Sequence, residues 1–130
     1  MRRHLLFNEA SGALRMGRTV EQFLRVLPDG DDRIIEWLYI HRERRTEEFR
    51  VVFLRVFDEG CEHFNVLIEF QPCAPDLPDG VQTCFSDPDA ALAYAVEELG
   101  ADRERFVNSQ MAQAEYGDYI AKVGWVPRRA

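Results

Sequence analysis

Cysteine is scarce: three residues, at positions 61, 73 and 84. An odd, widely spaced set excludes a disulfide framework and reads as reduced thiols. Long apolar runs are missing too, so no segment is read as spanning a bilayer. The stretch Met1-Arg2-Arg3-His4-Leu5-Leu6-Phe7-Asn8-Glu9 lacks the apolar centre of a signal peptide. The expected compartment is therefore the cytoplasm. Catalytic signatures are also absent. There is no G-x-S-x-G, no glycine-rich phosphate loop and no H-E-x-x-H. Cys61-Glu62-His63, with Cys73 and Cys84 further on, has the residue types of a metal site. Zinc sites build from close cysteine pairs, however, and the gaps after His63 are long. No metal and no cofactor is expected. His63 beside Asp58, Glu59 and Glu62 is the one acid–base grouping, but a single polar turn does not supply the convergent geometry that catalysis needs. No catalytic residue is assigned, and a small enzyme using His63 stands as the alternative reading.

Basic residues are lacking from one half of the chain. Residues 1–55 hold 11 Lys/Arg against 9 Asp/Glu, whereas residues 56–123 hold 3 against 14, within an overall net charge of −7. A local balance of −11 disfavours nucleic acid or an anionic membrane as partner and favours a basic protein, since opposite fields steer encounter. Plain solubility is the competing explanation.

The residues that are present describe one α+β domain over positions 1–130, 46% hydrophobic and able to bury one core. Arg33–Arg42, Glu47–Phe57 and Phe64–Phe70 are rich in β-branched and aromatic residues and lie between turn signals. They predict a three-stranded antiparallel meander, one face apolar and helix-covered, the other mixed and half wet. Arg42-Glu43-Arg44-Arg45-Thr46 is the one basic cluster; with Glu43, Glu47 and Glu48 beside it, it reads as a solvated hairpin tip, with an RNA contact as the alternative. Val81–Phe85 alternates as a fourth strand. Residues 1–18 lack a clear period, with Asn8–Gly12 reading as a turn. An N-terminal helix is expected after Thr19, where Thr19-x-x-Gln22 has the form of a capping box and Val20, Phe23, Leu24 and Leu27 share a helix face. Asp87-Pro88 opens a C-terminal helix that Gly100 ends. Asp102 caps a short turn to Phe106. A last helix, capped by Asn108 or Ser109, turns Ala112, Tyr116, Tyr119, Ile120 and Val123 inward.

Several stretches carry a family likeness: Phe57-Asp58-Glu59-Gly60, Phe64-x-Val66 with Phe70, Asp87-Pro88-Asp89-Ala90-Ala91-Leu92-Ala93-Tyr94-Ala95, Arg105-Phe106-Val107-Asn108 and Glu115-Tyr116-Gly117-Asp118-Tyr119. Together they cover about half of the chain and resemble small bacterial immunity proteins, which accompany secreted polymorphic toxins, including those of contact-dependent growth inhibition. The resemblance implies a non-enzymatic, intracellular inhibitor that binds a cognate toxin domain, often a nuclease with a basic cleft. It identifies no contact residues. Those come from charge placement: Asp58, Glu59 and Glu62 cluster at one turn, Glu97 lies opposite the buried stripe of its helix, and Glu115 and Asp118 share a helix flank three residues apart. Asp118 could alternatively pair with Lys122. A third reading is a structural or adaptor subunit that homodimerises through the half-apolar sheet face.

Overall fold

The β-rich stretch from Arg33 to Phe57 forms the centre of the sheet. Strand β2 (Asp32–Arg42) pairs antiparallel with β3 (Phe49–Phe57) in continuous register, from Ile34 opposite Phe57 to Arg42 opposite Phe49. Three further strands are β1 (Val20–Asp29), β4 (Val81–Phe85) and β5 (Val107–Asn108). The helices are α1 (Phe7–Arg15), α2 (Pro88–Leu99) and α3 (Met111–Val123). This is a computed structural model, and it describes residues 3–58, 68, 70, 72, 73 and 80–123. The strands lie in the order β4-β3-β2-β1-β5, all antiparallel. The fold is α+β, with five strands where about four were expected.

The meander exists, displaced by one element. It is β1-β2-β3, and the helix expected after Thr19 is the strand β1. Val20, Phe23, Leu24 and Leu27 suit a helix, but nine residue pairs join this segment to β2, and sheet pairing overrides a weak local preference. A register shift between Phe23 and Arg25 lets Val20 and Leu24 face one side and Phe23 and Val26 the other, which disguises the alternation. Pro28-Asp29-Gly30 is not a helix stop. It leads into a two-residue hairpin turn between Asp29 and Asp32, with Gly30 at φ +61° in the first central position, as a II′-type turn requires.

The N-terminal helix lies earlier than expected. Asn8–Gly12, read as a turn, is inside α1. Ala10, Ala13 and Leu14 recur at helical spacing and are buried, and the Glu9 carboxylate accepts from the Leu6 N–H at 2.7 Å. The helix forms because that small stripe packs on the sheet. Phe64–Phe70 lies mostly outside the described residues; Ile68 and Phe70 are described and neither is in a strand. The place beside Phe49–Phe53 belongs to β4.

Both sheet faces carry helices, which corrects the half-wet face. Leu38, Ile40 and Val51 pack with Leu14 of α1 and Ala91, Leu92 and Ala95 of α2. On the opposite face Ile35, Trp37, Val52, Leu54 and Val56 pack with Phe70 and with Ala112, Tyr116 and Ile120 of α3. The apolar face expected to mediate a homodimer thus carries packed helices. Val123, expected inside, is 49% exposed. Helix α2 forms as its sequence indicates: Asp87 accepts from the Ala90 N–H at 3.0 Å, Pro88 opens the first turn and Gly100 closes it at φ +76°. Asp102 caps the next turn through the Glu104 N–H at 2.9 Å. Asn108 instead belongs to β5, and the cap of α3 comes from across the sheet. The Glu21 carboxylate accepts from the Ala112 N–H at 3.2 Å. No helix among the described residues is long and apolar enough to cross a membrane.

Candidate interaction surface

Helices on opposite faces divide the carboxylates that the sequence groups together. Glu97 is exposed on α2. Glu115 and Asp118 sit on α3, across the sheet from it. They share a flank, as their spacing requires, but Glu97 does not join them. Glu59 and Glu62 lie outside the described residues, as does His63.

Asp58 is not a surface residue. Its side chain is fully buried, accepting from the Tyr116 hydroxyl at 2.5 Å and facing the Arg33 guanidinium at 3.1 Å. Its backbone N–H donates to the Arg33 carbonyl. The charge that suggested a docking role instead ties the end of β3 to β2 and α3. A buried carboxylate needs this pairing, because its desolvation is otherwise uncompensated.

The fold partly offsets the split into a basic and an acidic half. Three arginines from residues 1–55 meet carboxylates from residues 56–123. Arg15 approaches Asp87 at 3.4 Å and Asp89 at 3.5 Å, and Arg33 holds Asp58. Arg3 bridges both sequence-predicted acids on α3, donating to Glu115 at 2.9 Å and to Asp118 through a shorter contact. These two hydrogen bonds, Asp118 first and then Glu115, hold the Arg3 guanidinium above its usual pKa. His4 Nε2 lies 2.5 Å from Glu115, and Arg105 is 3.7 Å from it. Asp118 pairs with Arg3; no pairing with Lys122 is seen. Glu115 is 10% exposed on its side chain and faces Arg3, Arg105 and the His4 imidazole, whereas Asp118 is 65% exposed.

The two acids line a groove of about 610 Å³ that runs beside β1, floored by Phe23, Leu24 and Val26 and walled by Arg25, Asp102, Arg105, Tyr119 and Lys122. Strand β5 pairs only with Val20 and Glu21, and the next stretch of the β1 edge, Gln22 to Val26, borders this groove. The register shift at Phe23 and the proline at position 28 blunt that edge against strand addition. The groove thus offers side chains of both signs over an apolar floor, which suits recognition of a polar protein surface more than a small apolar ligand.

Sequence reasoning missed three polar groupings that only the tertiary fold creates. Arg25 and Arg55 flank Glu36, and Arg25 also donates to the Leu99 carbonyl at 2.7 Å, capping the end of α2. Glu21, buried against α3, has its pKa raised by desolvation, partly offset by the backbone N–H groups of Gln110 and Ala112. His41, Arg50 and Cys84 stand side by side on β2, β3 and β4. Burial and then the Arg50 charge push the His41 pKa down. Cys84 is exposed and Cys73 half-buried, neither in a disulfide; no group of three or more His, Cys, Asp or Glu among the described residues is arranged to hold a metal. Comparison with family models, with curated proteins and with solved structures finds no match.

Proposed function

We propose that this protein is a non-enzymatic inhibitor that neutralises a basic protein by binding it, in the manner of the immunity proteins its sequence resembles, and acts in the cytosol. The observation that carries the reading is the α3 flank. Glu115 and Asp118 converge on one guanidinium nitrogen at the rim of a groove, a charge-assisted arrangement that a basic side chain of a partner can fill. The overall charge of −7 supports it, since an excess of one sign accelerates encounter with the other. The reading is narrower than the sequence suggested. Asp58 leaves the surface, Glu97 stands on a different face, and the partner side is the groove beside β1.

Co-expression with a toxin encoded beside this gene should restore growth, and no rescue with both proteins folded would refute the reading. Within a rescuing pair, Asp118→Lys should slow association, with an effect that shrinks as salt rises, while Glu97→Lys on the other face should change it less. Equal effects from the two variants would mean that the groove beside β1 is not the docking side.

A further inference from the structure

We propose that the N-terminal arm is a built-in competitor for the partner: Arg3 occupies the place on Glu115 and Asp118 that an arginine of the partner takes on binding. This rests on the basic-partner reading above. The acid pair belongs to α3, while the guanidinium it holds comes from the opposite end of the chain, more than 100 residues away. The pair is therefore already configured around a guanidinium, whose Nη1 alone donates to both carboxylates.

The arm is built to release this contact. It is tied by backbone pairing at His4, opposite Val107, and by the Leu5 N–H to the Phe106 carbonyl at 2.7 Å. Arg3 lies beyond those ties. The Asp118 side chain is 65% exposed and that of Arg3 32%, so an incoming guanidinium reaches Asp118 from solvent while Arg3 is still seated. Glu115, the less exposed acid, keeps His4 and Arg105 beside it when Arg3 leaves. The exchange thus strands no buried carboxylate, which is the step that would otherwise make it costly. The arm screens the site from weakly basic surfaces and yields to one that presents an arginine within a larger interface. Exposed ion pairs are weak, so the arm should lower affinity by about two- to five-fold.

The test uses the full chain and a fluorescent nona-arginine peptide, with binding read by anisotropy at low salt. Arg3→Ala is compared with Arg18→Ala, which removes the same charge from another exposed position. Arg3→Ala should tighten binding about two- to five-fold beyond Arg18→Ala. That gain should vanish when Glu115→Gln and Asp118→Asn are added, with circular dichroism confirming the fold of each variant. Equal tightening by the two arginine variants would show a net-charge effect and overturn the proposal, and so would a gain that survives loss of the acid pair. In the unaltered chain, saturating peptide should move the amide resonance of Arg3 toward that of a mobile segment while His4 keeps its pairing with Val107; an unmoved Arg3 resonance also overturns it. The peptide assay needs no toxin. Its failure removes the arm's role and leaves growth rescue untouched, whereas failed rescue removes the immunity reading alone.

Discussion

Replacing Tyr116 by Phe tests whether the buried Asp58 network holds the two sides of the core together. The tyrosine is fully buried, and its hydroxyl donates to an Asp58 carboxylate that has no solvent exposure. The ring's packing on Phe70 and Phe23 is kept in the variant, so the hydrogen bond is the main loss. A hydrogen bond to a charged group contributes about 1.5–3 kcal/mol. Chemical denaturation should show a loss in that range, and thermal unfolding a midpoint lower by about 5–10 °C for a chain of this size. Asp58→Ala should cost more, about 3–5 kcal/mol, because it leaves the Arg33 guanidinium partly buried without its carboxylate. The double variant should lose less than the sum of the two, since they remove one shared interaction. Tyr119→Phe is the control. It keeps the ring under Arg33, its hydroxyl makes no hydrogen bond among the described residues, and it should stay within about 0.5 kcal/mol of the parent. A Tyr116→Phe protein as stable as the Tyr119→Phe protein would refute the reasoning.

Two further outcomes follow from local geometry. Gly12 and Gly117 lie inside helices where an added Cβ meets nothing within 4 Å, so Gly12→Ala and Gly117→Ala should each stabilise by about 0.5–1 kcal/mol in urea titrations. Gly80→Ala should destabilise, because φ is +79° and the new Cβ would stand 2.5 Å from the Phe53 carbonyl oxygen. His41 gives the pH dependence: its pKa is lower folded than unfolded, so the unfolded chain takes up the proton first. Stability should be retained above 6.5 and fall as pH drops below that value, and His41→Gln should flatten this step in a series of denaturation curves. A step of unchanged size in His41→Gln would assign it to another group.

How much of this was legible depended on how local each determinant is. Helix α2 could be read because Asp87, Pro88 and Gly100 act within a turn of themselves. Strands β2, β3 and β4 were legible from composition. Strand β1 was not, because Val20, Phe23, Leu24 and Leu27 satisfy a helical period as well as a bulged strand, and only pairing with β2 decides between them. Helix α1 was hidden by Asn8, Ser11 and Gly12, each a turn former; its stabilisation comes from burying Ala10 and Leu14. At the candidate surface, the shared flank of Glu115 and Asp118 follows from a three-residue spacing. The arrival of Arg3 there, the burial of Asp58 and the separation of Glu97 depend on which face each helix crosses, and no short stretch encodes that.

The strand order β4-β3-β2-β1-β5 also sets the order in which the molecule can be assembled during synthesis. The three central strands are complete once Phe57 has been made, and their contacts are between neighbours in sequence, so they are the part that closes fastest. One apolar face has α1 at hand and waits only for α2, whereas the other waits for α3, which ends at Val123. A nascent chain therefore carries that second face open through most of the synthesis of its second half, the stage at which exposed apolar surface invites misassociation. His4 and Leu5, made before any of the strands, are among the last to dock, since they have no place until Phe106 and Val107 arrive.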